Sequence, residues 1–276
     1  MTCQDFTVKS GCAVLHCRRM GEGKPLLMIH GGACDSSFFQ KTSQYLAQNR
    51  RVITYDRRGY GQSSKTDYVY TSRELFGREQ ASDAAAILST LNKPADICAC
   101  SMGTIIALYL LLDYPALVDR IILHEPPLSE YTEPDHPIFK EVDKIQSVKN
   151  ISFYKAYILF LNTQGPADDR ACEIDDSEAE NLEEEGMYFL NSEHKIVYQR
   201  GEHLPMIPDK SKIVVAAGEI SRMEHTHCAE CAEKFSAEHN FPLIPFPGGH
   251  NAAREIPAAF AASVEGVLNL DLQYAL

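Results

Sequence analysis

The five residues Ala99-Cys100-Ser101-Met102-Gly103 set a hydroxyl nucleophile between an apolar strand-like run and an apolar helix-like run. A serine in a tight strand-to-helix turn, with small residues two positions to either side, has the form of a nucleophile elbow. The turn lifts Oγ clear of the sheet and above a helix amino terminus, and small neighbours are needed because it packs closely on adjacent strands. Ala99 stands where glycine is commoner. A serine that merely caps the helix would give the same five residues, because serine is a favoured N-cap. The pentapeptide alone does not separate the two readings. Two βα units earlier, His30-Gly31-Gly32 ends another apolar run. Its glycines would let the Gly32 N–H turn toward the serine and, with the Met102 N–H, hold a developing oxyanion; losing one such donor typically costs about 3 kcal/mol of barrier. A βα turn that simply needs glycine explains the same pair.

These residues need a scaffold, and the hydrophobic pattern supplies one. Apolar runs at 25–29, 51–55, 96–100 and 120–124 look like strands buried on both faces. Between them lie helical patterns at 36–48, at 71–91 with a capping box from Thr71 to Glu74, and at 104–112. This alternation predicts an α/β protein with a mostly parallel, doubly covered sheet. The βα order stops across 126–209, where helices are predicted at 138–148 and 153–161 and an acidic run spans 168–185. Structureless connections longer than about 15 residues are rare in compact domains, so 126–209 is read as an inserted helical cap on a core of 1–125 and 210–276. The core pattern resumes with a strand at 212–217, a helix at 228–238, a strand at 242–246 and a last helix at 256–268.

His30-Gly31-Gly32, the segment DRRGYGQS at 56–63, Ser101 in its turn, and Pro247-Gly248-Gly249-His250-Asn251, in this order, resemble the α/β-hydrolase superfamily over nearly the whole chain. The resemblance implies that His250 is the general base taking the Ser101 proton. It also implies an acid on the loop after 212–218, but that position is Ser221, which cannot balance an imidazolium. Glu125, directly after a buried strand at the sheet edge where ligands bind in α/β folds, is the expected acid, with Glu219 or Glu224 on the same loop as Ser221 as alternatives. Each preserves the chain order serine, acid, histidine. The implied activity is a serine hydrolase acting on a small carboxylic ester or similar acyl substrate through an acyl-enzyme. Thioesterase, lactonase and carbon–carbon bond hydrolase chemistry stay open, as does a ligand-binding or signalling protein that kept the fold and lost turnover, because fold does not settle chemistry.

His225, His227, Cys228 and Cys231 have metal-ligand types at close spacing, although helical spacing explains Cys228 and Cys231 equally well as packing residues. Cys98 and Cys100 are read as packing residues of a strand, at most one on each side. Six aromatic residues of the insert, Phe153, Tyr154, Tyr157, Phe160, Tyr188 and Phe189, would line an acyl site or form the cap's own core. No metal, flavin or nicotinamide fingerprint is present, so no cofactor is expected. The net charge of −12 leaves no cation excess for nucleic acid. The longest apolar run has eight residues (105–112), too short for a membrane span. Nine cysteines without framework spacing and no secretion signal suggest a cytoplasmic enzyme, monomer or homodimer, acting on a small molecule. Residues 168–185 hold ten acidic residues and one arginine, so the negative charge concentrates in the proposed cap, as a solvated face or as a rim disfavouring anionic substrates.

Overall fold

The computed structural model describes residues 2–66, 68–168, 184–199, 203–204, 206–207 and 209–270. Eight strands form one sheet in the order β1-β2-β4-β3-β5-β6-β7-β8. β3 (Lys24–Ile29), β4 (Arg50–Tyr55), β5 (Ala95–Cys100), β6 (Val118–His124), β7 (Ile213–Gly218) and β8 (Leu243–Phe246) run parallel. β1 (Cys3–Ser10) and β2 (Ala13–Met20) form an antiparallel hairpin on one edge, and β2 pairs antiparallel with β4. β5 and β7 are buried at every position, which is why their sequences are continuous apolar runs. The hairpin lacks such a run: β1 is half exposed, and its turn depends on Gly11 at φ +56°.

Helices cover both faces. α1 (Gln40–Leu46) packs against the carboxy-terminal α10 (Pro257–Asn269) on one side. α2 (Arg73–Leu88), α3 (Met102–Asp113) and α8 (His227–His239) pack on the other. The cap of α2 is Ser72, whose Oγ accepts from Leu75 N at 3.2 Å, and not the predicted Thr71. Glu74 then lies inside the helix and pairs with Arg78 one turn on, at 2.9 Å. Cys98 and Cys100 share one face of β5, against the expectation that they divide between the two sides. Residues two apart on a strand project the same way, and both pack in the layer beneath α1 and α10.

Between β6 and β7 the chain leaves the sheet. It passes through a 3-10 turn (Ser129–Tyr131), α4 (Pro137–Lys149), α5 (Phe153–Asn162), a π-helical turn (Phe189–Glu193) and α6 (His194–Val197), and the short helices α7 (Glu219–Met223) and α9 (Ala252–Glu255) follow β7 and β8. Most of the acidic run lies outside the described residues. At its far end Glu185 is buried, accepting from Gly61 N at 2.8 Å, and burial pushes its carboxyl up to about 7. Glu185 is therefore not part of a solvated face, whereas its neighbour Glu184 is exposed. Among the described residues no helix is long and apolar enough to cross a membrane.

Candidate functional site

Ser101 follows β5 directly and precedes α3, with φ +52° and ψ −129°. A side chain held there is strained by roughly 1–3 kcal/mol, an arrangement that persists only when its surroundings enforce it. The enforcement is visible. Ser101 N donates to His124 O at 2.9 Å, and Thr104 N donates to Ser101 O at 2.9 Å. A Cβ on Gly103 would run into the Ile29 carbonyl, so the helix reaches the sheet only with glycine at that position. Ser101 makes no side-chain capping bond, so its hydroxyl is not committed to the helix.

His250 lies in the turn after β8, buried, with Nδ1 at 2.6 Å from Oε2 of the fully buried Glu125. A carboxylate only accepts, so the proton belongs on Nδ1 and Nε2 keeps its lone pair. Burial by itself would push the Glu125 carboxyl up. The hydrogen bond and charge of His250, the neighbouring His124 and a hydrogen bond from Ser221 outweigh it and bring the carboxyl down to about 2. Gly218 N completes its shell, donating to Oε1 at 2.9 Å. Gly218 has to be glycine here, because its Cβ would strike the Gly248 carbonyl and crowd Oε1. Glu125 itself sits at φ +50°, and its N donates to Ala216 O at 2.9 Å. Of the three candidate acids, the fold brings only this one to the imidazole; Glu219 and Glu224 are exposed. Ser221 supports that carboxylate instead of replacing it.

Ser101 and His250 line one cavity of about 40 Å³, together with Gly31, Gly32 and Met102. The Met102 N–H is in the first turn of α3 and has no acceptor within the helix. A Cβ on Gly31 would lie 2.9 Å from Ser101 Cβ, so this turn approaches the serine backbone-first. Phe160 and Phe189 close the cavity from the β6–β7 excursion. The other four aromatic candidates pack elsewhere. Phe153 stacks on Tyr157, Tyr154 is exposed, and Tyr188 stands edge-on to Tyr60. A larger cleft of about 620 Å³ opens between β2, β4 and the turn at Ser36–Phe39, far richer in carboxylates but holding neither the serine nor His250.

A family model described as alpha/beta hydrolase fold matches residues 24–165, just over half of the chain. The chain belongs to this family. It is similar to the uncharacterized hydrolase YraK of Bacillus subtilis (strain 168), 33% identical over 127 residues, which are 46% of this chain and 46% of that protein. The match thus spans about half the length of that curated relative. Among solved structures, the esterase EaEST from Exiguobacterium antarcticum is 18% identical with a TM-score of 0.74, covering 97% of this chain and 100% of that one. The CarC serine hydrolase involved in carbazole degradation is 18% identical with a TM-score of 0.67, covering 97% and 99%. At such identities the likeness carries the fold.

Other groups of this α/β-hydrolase-fold chain sort by their partners. His227 Nε2 lies 2.8 Å from Thr132 Oγ1 and 3.5 Å from Cys231 Sγ, while His225 is exposed. Among the described residues no three His, Cys, Asp or Glu side chains gather as a metal ion would require. The eight described cysteines are free thiols, and Cys34, Cys100 and Cys228 border the cavity.

Four histidines are buried in the neutral form. Burial, aided by Arg57, Lys149 and His136 respectively, lowers His30, His194 and His227 to about 3, and burial lowers His124 to about 4 against the pull of Glu125. Unfolded imidazoles titrate near 6.5, so between about pH 4 and 6.5 the unfolded chain binds protons that the native state refuses. Stability therefore rises with pH across that window. Each histidine contributes at most about 1.4 kcal/mol per pH unit in that window, and the raised Glu185 and Glu255 carboxyls oppose part of the sum. Urea melts at pH 7, 6 and 5 are expected to show a falling midpoint; an unchanged midpoint would contradict the buried neutral assignment.

Proposed function

We propose that this chain is a serine hydrolase that cleaves a small carboxylic ester through an acyl-enzyme. One observation carries the reading: a buried, ionised Glu125 holds the His250 ring by Nδ1, beside a cavity into which a strained turn delivers Ser101. His250 Nε2 takes the hydroxyl proton as Oγ bonds to the ester carbonyl carbon, and the N–H groups of Gly32 and Met102 receive the negative oxygen. The imidazolium returns its proton to the departing alkoxide, which leaves as the alcohol. Water, deprotonated by the same ring, then attacks the acyl carbon, and the imidazolium hands that proton to Ser101 Oγ as the acyl–oxygen bond breaks and the carboxylic acid leaves. Glu125 keeps the tautomer and balances the transient charge without taking the proton.

The support for a small acyl group is steric. A cavity of about 40 Å³ has room for roughly two or three waters. Thioester, lactone and carbon–carbon substrates use the same groups and differ in what must fit beneath Phe160 and Phe189. Residues 126–209 act in this reading as the cap that bounds the acyl site.

Incubation with a fluorophosphonate probe, followed by peptide mapping, is expected to place one adduct on Ser101 and to block p-nitrophenyl acetate hydrolysis in step with labelling. Folded protein that neither labels nor hydrolyses would sink the proposal in favour of a binding protein on this fold.

A further inference from the structure

Behind the cavity stands an ion pair that the chemistry above does not use. Arg57, just past β4, and Glu193, on the π-helical turn of the β6–β7 excursion, are both fully buried and meet in two hydrogen bonds, Nη1–Oε1 at 3.0 Å and Nη2–Oε2 at 2.9 Å. Tyr60 donates its hydroxyl to the same Oε2 at 2.6 Å, and the guanidinium lies 4.5 Å from the Tyr60 ring centroid. Burial of this kind is not in itself stabilising, because desolvating two charges offsets most of their attraction. The ion pair therefore fits a role other than stability.

The third contact of the guanidinium supplies it. Arg57 Nη2 also donates to the Gly31 carbonyl at 2.9 Å. The same oxygen receives His30 Nδ1–H at 2.9 Å, and His30 is set to donate there because its Nε2 accepts Arg57 N at 3.0 Å. The carbonyl of Gly31 and the N–H of Gly32 belong to one planar peptide and point in opposite directions. Two donors fastened to that oxygen thus fix where the Gly32 N–H points. The excursion closes the arrangement from the other side: Phe189, on the same turn as Glu193, occupies the space that a Gly32 side chain would need.

We propose that Arg57, charge-balanced by Glu193, is a positioning residue that aims the Gly32 N–H at the developing oxyanion and makes that aim depend on the seating of the β6–β7 excursion. The inference rests on the serine-hydrolase reading for its kinetic consequence, but the geometry of the turn can be tested without it. The sequence offers no hint of the pair, because Arg57 and Glu193 lie 136 positions apart.

The decisive variant replaces the whole polar group by apolar residues of similar size: Arg57→Met, Tyr60→Phe and Glu193→Met together. Removing all three leaves no orphaned charge, so its Tm is expected to equal or exceed that of the native chain. The kcat for p-nitrophenyl acetate nevertheless falls on the order of 10- to 100-fold, with KM within about threefold, because a donor is misaimed and not deleted. Amide exchange across residues 29–33 speeds up. A purely structural pair would give normal kcat and unchanged exchange at preserved Tm, and that result overturns the proposal. Arg57→Lys, which keeps a charge opposite Glu193 but loses the planar reach to Gly31, is expected to show the same kcat loss and covers the case in which the triple variant fails to fold. Native protein without Ser101-dependent turnover would refute the hydrolase reading, while the exchange measurement would still decide the fate of the Arg57 assignment.

Discussion

Ser101→Ala is expected to lower kcat/KM for p-nitrophenyl acetate by on the order of 10⁵-fold and to abolish fluorophosphonate labelling. The residual activity comes from binding and from the Gly32 and Met102 donors, which the substitution leaves in place. The backbone makes a second, independent demand. Alanine at φ +52° and ψ −129° retains the strain of the native turn, whereas glycine tolerates that region. Ser101→Gly should thus be as inactive as Ser101→Ala yet more stable, by about 1 kcal/mol, read as a higher Tm. Such a residue would give up stability to hold a hydroxyl where it can react. A Ser101→Ala protein that keeps more than a tenth of native turnover would remove the nucleophile from this account. A Ser101→Gly protein less stable than Ser101→Ala would show that the turn is not strained.

The parts of this site that could be read in the sequence are those with a local physical cause. Strands buried on both faces must be continuous apolar runs, so β3, β5 and β7 stand out, and the turns that follow two of them carry Gly31 and Ser101. Glu125 was legible as a candidate because it directly follows the apolar end of β6. Its place after a buried strand already favours it over Glu219 and Glu224, and the fold adds the register: His124 lies opposite Cys100 on the neighbouring strand, so the next residue of each strand falls at the same sheet edge. The hairpin of β1 and β2 leaves no such run, because one exposed face interrupts its apolar pattern. Arg57 looked like one of two adjacent arginines of a loop, and only its contacts distinguish it from Arg58, which turns the other way to Asp83 and Glu79. Pairings set by loops far apart in the chain leave no period to detect.

Glu125→Gln tests the remaining assignment, and the surroundings of the carboxylate say how it should fail. Gly218 N–H points at Oε1, so the glutamine that replaces Glu125 will turn its amide oxygen to that donor. Its NH₂ group then faces His250 Nδ1 across what is now a 2.6 Å hydrogen bond. Two donors cannot meet there, so the ring must move its proton to Nε2, the atom that has to accept from Ser101. The expected loss is on the order of 10³-fold or more in kcat, with the fold intact, whereas Glu219→Gln combined with Glu224→Gln stays within about twofold. Adding Ser221→Asp to Glu125→Gln returns a carboxylate to the side from which Ser221 already bonds the native one, and recovery of at least about tenfold is expected if charge beside Nδ1 is what was lost. Glu125 itself should leave no inflection in the activity profile on acidification to about pH 4, because a carboxyl held at about 2 stays ionised throughout that range. Full activity in Glu125→Gln, with a collapse in the double Glu219, Glu224 variant, would transfer the acid to the loop after β7 and leave the buried Glu125–His250 bond without a catalytic purpose.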